Sequence, residues 1–157
     1  MRSPFLEFSI RFYGRPGVAP ALLELQDRDG IDVNMFLFAL WAASTGKRWD
    51  DAAVMQTDRL IKSWRDDIVV PLRSVRRALR ETPRGFDAEA AQNIRRQIKE
   101  AELEAEFLQQ NAMAECDLPP SDLPPRTLAA ANVESYAAVL DRVLNRTLVD
   151  KLLNEFG

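Results

Sequence analysis

Apolar residues recur along this chain mostly at three- and four-residue steps, the spacing of an amphipathic helix, and no second alternating segment exists to give a strand a partner. Ser3-Pro4 predicts a helix start, a hydroxyl cap followed by the residue best tolerated in a first turn. LEFSIRF at 6–12 also fits strand alternation, but Glu7 and Arg11 lie four apart with Phe5, Leu6, Phe8, Phe12 and Tyr13 opposite, so helix is the reading. After GRPG at 14–17, Val18, Ala21, Leu22 and Leu25 mark a second short helix that Gly30 should end. Asp32 is placed to cap a third helix, whose Val33, Met35, Phe36, Leu37, Phe38, Leu40 and Trp41 are apolar nearly all round. Such a helix must be central and covered on several sides. It should end near Gly46, with Lys47 and Arg48 at its negative end.

From Asp50 a long helix follows. Val54, Ile61, Ile68 and Val75 repeat every seven residues with Thr57, Trp64, Pro71 and Ala78 three further on, which is a heptad seam. Pro71 inside it should kink the helix one turn earlier. Asp87 caps another long helix, to about Glu115, with Ile94, Ile98, Ala101, Ala105, Leu108 and Ala112 as its seam. A short turn near residue 84 makes the two an antiparallel hairpin, and predicts an ion pair from Arg65 or Lys62 to Glu102 or Glu106. DLPP occurs twice in 117–126, a stiff linker. Beyond it, Tyr136, Val139, Leu140, Val143, Leu148, Leu152 and Phe156 predict one final helix of about 22 residues capped by Asn132, docking on the domain or on a partner.

Composition narrows the chemistry. The 157 residues suit one domain, and 46% apolar with 29% charged residues is ordinary globular material. Val33–Ala43, interrupted only by Asn34, is well short of the roughly 20 residues a membrane helix requires. Glu7 and Arg11 spoil a signal peptide, and a single cysteine, Cys116, fits a reducing compartment, so a cytoplasmic setting is the simplest reading. There is no histidine, which removes Ser-His-Asp and Cys-His catalysis and His-ligated metals. With six glycines there is also no Walker loop and no GxGxxG, and the reading leans away from an enzyme, with no cofactor and no metal expected.

Three constellations remain. Gln26, Asp27, Asp32 and Asn34 form an acidic turn that can orient a ligand, although helix caps and an Asx turn account for the two aspartates and Gly30. Asn34 is the exception, because an amide in an apolar helix must find partners if buried; it either bonds back to the turn or lines a pocket beside Trp41. Arg73, Arg77, Arg80 and Arg84 share a helical face, and Arg59–Arg84 holds eight Lys/Arg against three acids in a chain of net charge −3. Such a row suits phosphates or an acidic partner, against a plain solvated face. Glu102, Glu104 and Glu106 read as an ordinary charged face, since di-iron helices pair glutamate with histidine. Leu103 and Phe107 point away from the Ile94–Leu108 seam and offer a partner surface.

Several of these pieces together resemble a proteobacterial family catalogued as domain of unknown function 2390. The resemblance runs through Tyr13, PGV at 16–18, LQD at 25–27, Gly30, DVN at 32–34, ALW at 39–41, Trp64, VPLR at 70–73, Arg76 and ELEAE at 102–106. It implies a small, helical, bacterial cytoplasmic protein and brings no activity, substrate or catalytic residue. The DLPP segment and last helix lie outside it.

The chain thus reads as all-α: a helical domain over 1–116, a Pro-rich linker over 117–126 and a C-terminal helix within 127–157. A non-enzymatic interaction or adaptor protein, with a protein partner or self-association, is the favoured function. Nucleic acid or an acidic partner on Arg73–Arg84, and a small-molecule pocket near Asn34 and Trp41, are the alternatives.

Overall fold

Short polar side chains start five of the helices, with Ser3, Asp32, Asp50, Asp87 and Asn145 as the caps. In the computed structural model, which describes residues 2–157, Ser3 Oγ accepts the Leu6 N–H at 3.1 Å and opens α1 (Pro4–Tyr13). α2 (Val18–Asp29) ends at Gly30, whose φ of 72° few other residues adopt cheaply. Asp32 Oδ1 then accepts the Asn34 N–H at 2.8 Å and opens α3 (Val33–Ser44). α3 is buried on nearly every side, from Met35 through Leu40 and on to Ala43. The fold is all-α.

α4 (Asp51–Trp64) runs through a π-helical segment, Arg65–Val69, into α5 (Val70–Ala78). There the Val70 N–H reaches back five residues to the Arg65 carbonyl. Pro71 lacks an N–H, and its ring collides with the carbonyl four residues back in a regular α-turn, so a widened turn before it relieves the conflict. The widened turn holds one surplus residue, which rotates everything beyond it by about 100°. The seam is therefore continuous only to Trp64. Ile68 and Val75 are exposed, and the inward face moves on by one position to Val69, Leu72, Arg76 and Leu79.

The expected ion pair does not form, and the rotation brings other arginines to the glutamates. Arg65 binds Asp58, Asp66 and Asp32, Lys62 binds Asp66, and the glutamates are taken by Arg73 and Arg76. The seam of α6 (Ala88–Ala114) is corrected too. Ile94, Ala101, Leu108 and Ala112 are exposed, and the face turned inward is Ile98, Glu102, Ala105, Gln109 and Met113. Because α5 presents arginines to it rather than Ile68 and Val75, α6 answers with carboxylates. Trp64 Nε1 donates to the Ala105 carbonyl at 2.9 Å and Gln92 Nε2 to that of Leu79 at 3.0 Å, so α6 runs back along α4 and α5.

The C-terminal stretch is two helices, not one: α7 (Pro125–Leu140) and α8 (Arg146–Phe156). Asp141, in the left-handed region at φ 57°, ends the first, and Asn145 caps the second. Asn132 is no cap; it lies fully buried within α7, which packs along α3. Its amide accepts the Trp49 N–H at 2.8 Å and one from Arg48 at 2.9 Å, and donates to the carbonyls of Ala39 and Lys47, both at 3.1 Å. The Pro-rich stretch is held to the α3–α4 loop by bonds of 2.9 Å from the Arg48 N–H to Pro119 and from the Ser121 N–H to Gly46.

Candidate functional site

The turn that starts α3 also forms the inner end of a cleft of about 700 Å³ between α1, α2, α3, α5 and α6. An adjoining cleft of about 370 Å³ shares Gln26, Asp32, Asn34 and Arg73 with it. Asp32 stands between the two. Its N–H donates to the Tyr136 hydroxyl oxygen at 2.8 Å, while Oδ2 faces Arg65 at 3.8 Å and Gln109 Nε2 at 3.5 Å. Burial pushes its carboxyl above the usual range, against the pull of Arg65, the Asn34 N–H and Arg73. Burial likewise pushes up the Tyr136 hydroxyl, with the charge of Asp32 adding to it.

Glu102, Glu106 and Gln110 follow at four-residue steps on α6 and so form one stripe along the cleft. Glu102 accepts from both Arg73, at 3.2 Å, and Arg76. Burial opposes its ionisation, but the Arg76 and Arg73 hydrogen bonds outweigh that and hold its carboxyl below the usual range. Glu106 accepts from Arg73 alone, at 3.1 Å; burial pushes it up, and the charges of Glu102 and Asp32 add to the rise. The Tyr13 hydroxyl rises as well, through burial and then Glu106. Gln110 Nε2 donates to Asn34 Oδ1 at 2.7 Å.

Three buried polar atoms on the lining residues have no hydrogen-bond partner among the described residues: Ser9 Oγ and Gln110 Oε1 beside the larger cleft and Gln109 Oε1 beside the smaller. Such atoms are rare in native interiors, because each forfeits its hydration without replacement. Chemically the arrangement can receive hydrogen-bond donors or a cation, and Glu106 can exchange a proton more readily than the clamped Glu102. Among the described residues no three His, Cys, Asp or Glu side chains converge as a metal site would require.

The residues singled out by sequence are dispersed. Gln26, Asp32 and Asn34 line the cleft, whereas Asp27 is exposed outside it. Trp41 lies apart, its ring 5.3 Å from Phe5 and 5.6 Å from Phe38. Arg73 is drawn inward and Arg77 stands at the rim, while Arg80 and Arg84 lie out on the hairpin. Leu103 and Phe107 form part of the cleft wall. The charged-face reading fits Glu104, which is exposed, but not Glu102, which is buried, or Glu106, which is half-buried. Ser9, Tyr13, Arg76, Gln109, Gln110 and Tyr136 were not anticipated as site residues. The one signal for them was the four-step run Glu102–Glu106–Gln110 on a helix with a thin apolar seam.

An all-helical protein with a charged, half-enclosed cleft is the class that fold and site define. The chain belongs to a protein family of unknown function, DUF2390, whose model matches residues 5–113. The matched stretch carries every cleft residue discussed above except Tyr136. No curated protein and no solved structure matches the chain. Among the described residues, no helix is long and apolar enough to cross a membrane.

Proposed function

We propose that this protein binds a small organic molecule in the cleft between α1, α3, α5 and α6. One observation carries the reading: Ser9 and Gln110, 4% and 5% exposed, line a cleft of about 700 Å³, and each holds a buried side-chain oxygen with no hydrogen-bond partner among the described residues. A cavity of that size falls in the range of small-molecule sites, and apolar walls with a few convergent polar groups are their usual composition. A ion-paired interior is no efficient route to stability either, since apolar residues of the same volume serve as well or better. Leu103→Trp, at a half-exposed wall position, narrows the cleft without entering the core. A thermal-shift screen of a few hundred metabolite-like compounds should yield ligands that stabilise the wild type by about 2–3 kcal/mol near a hundredfold excess over Kd. The same ligands should leave Leu103→Trp unmoved. A screen without ligands, or ligands indifferent to that substitution, rejects the reading.

A second reading, a non-enzymatic role through a polyanionic partner docked on the hairpin, is favoured by the hairpin's outer surface. Arg77, Arg80 and Arg84 make no salt bridge among the described residues, and Phe86 nearby is 72% exposed. A labelled duplex should then bind at low salt, lose affinity steeply as salt rises, and lose it on Arg77→Glu with Arg80→Glu. Absence of binding at low salt removes this reading.

A further inference from the structure

Hydrogen-bond donors run short along the α6 stripe in one direction. Glu102 is met by two guanidinium groups, Glu106 by one, and Gln110 has spent its own amide on Asn34 and keeps Oε1 unpartnered. Ser9 Oγ, on the α1 wall of the same cleft, is unpartnered too. Charge runs short alongside. Arg65 is spent on Asp58, Asp66 and Asp32, which leaves Arg76 to serve Glu102 and Arg73 to serve both glutamates and to reach toward Asp32. Five carboxylates thus share three guanidinium groups, with Lys62 assisting only Asp66. The lining cations without a salt bridge among the described residues, Arg77 and Lys99, lie toward the hairpin turn: Arg77 is one turn beyond Arg73, and Lys99 lies about 16 Å along the helix axis from Gln110.

What is missing at the Glu106–Gln110 end is therefore a positive charge with several donors, beside apolar walls from Leu6, Ile10, Leu37 and Phe107. We infer that the ligand is an amphipathic amine, its ammonium seated between the Glu106 carboxylate and the free oxygens of Gln110 and Ser9, its hydrocarbon part along the apolar walls. An ammonium supplies three donors and one charge in the space of a methyl group. A hydroxyl supplies one donor and no charge, and a carboxylate only adds to the excess of acceptors. This assignment rests on the cleft being the binding site, and names what the cleft selects.

Three probes with one carbon skeleton test it: 4-phenylbutylamine, 4-phenylbutanol and 4-phenylbutyrate, titrated by calorimetry into the full chain. The amine should bind at least about tenfold tighter than the alcohol, the worth of a charge-assisted hydrogen bond. Glu106→Gln, which keeps the side chain's shape, should remove that preference, and Ser9→Ala should weaken the amine several-fold while leaving the alcohol unchanged. Circular dichroism spectra matching wild type establish that both variants are folded. Tighter binding of the butyrate or the alcohol, abolished by Leu103→Trp, overturns the amine assignment while leaving the cleft as the site. Amine binding indifferent to Glu106→Gln, or no binding by any probe, overturns it as well, and the thermal-shift screen then decides the cleft itself.

Discussion

Asn132→Ala is expected to lower the unfolding free energy by about 3–5 kcal/mol, the upper end of what single substitutions do. The side chain is fully buried and makes four hydrogen bonds, three of them with backbone groups of residues 39–49. Alanine strands the Trp49 N–H and the Ala39 and Lys47 carbonyls at about 1–3 kcal/mol each, partly offset where the structure relaxes. Arg48 keeps Ser135 and the Trp49 carbonyl, so its charge stays solvated by protein. Asn132→Asp should be at least as harmful, since a carboxylate oxygen then faces two carbonyl oxygens. Urea unfolding followed by circular dichroism measures both. A loss below about 1 kcal/mol for alanine would mean that water takes over these bonds and that α7 is not keyed to α3 by this residue.

One turn of α6 separates two glutamates that should respond to the same substitution in opposite ways. Glu102→Gln takes from Arg76 its one salt-bridge partner among the described residues, leaves Arg73 with Glu106 alone, and should cost about 2–4 kcal/mol at neutral pH. Glu106→Gln should cost nothing or stabilise slightly, because burial already disfavours its charged form in the folded protein. The pH dependence follows from the same shifts. Glu102, held below its ordinary value of 4.5, contributes stability that is complete above that value and is lost as pH falls through the lowered one. Glu106 and Asp32, both held above their ordinary values, impose a cost at neutral pH that fades as pH falls through their raised values. Mild acidification should thus leave wild-type stability level or slightly raised before it drops, and Glu106→Gln should flatten that first arm. Urea midpoints at a series of pH values check it; equal destabilisation by both substitutions would refute the contrast.

Much of the architecture was legible in local signals. Ser3, Asp32 and Asp87 start helices where short oxygen-bearing side chains precede apolar periodicity, and Gly30 stops one. The all-round apolar run of α3 required a central position, and it has one. The α6 stripe was not legible, because periodicity assigns the inward face to whichever positions are apolar, and here tertiary context placed Glu102 and Gln109 inside instead. Asn132 was misread for a related reason: asparagine often caps helices, and nothing local distinguishes a cap from a buried amide serving a loop more than 80 residues away in sequence. The cleft itself needed the meeting of α1 and α6, which no spacing announces.

The π-turn has a consequence for how this protein tolerates insertion and deletion. It splits one long helix into two reading frames, and only the second frame points Arg73 and Arg76 at the glutamates. Removing one residue from 66–68 would return the helix to regular winding and leave Leu72, Arg76 and Leu79 facing inward, because the lost residue cancels the surplus, whereas inserting one residue there would turn that face by about another 100°. The insertion would swing the guanidinium groups away from the glutamates with every one of their side chains still encoded. What assembles the charged end of the cleft is a count of residues, and a substitution scan of the arginines would never reveal it.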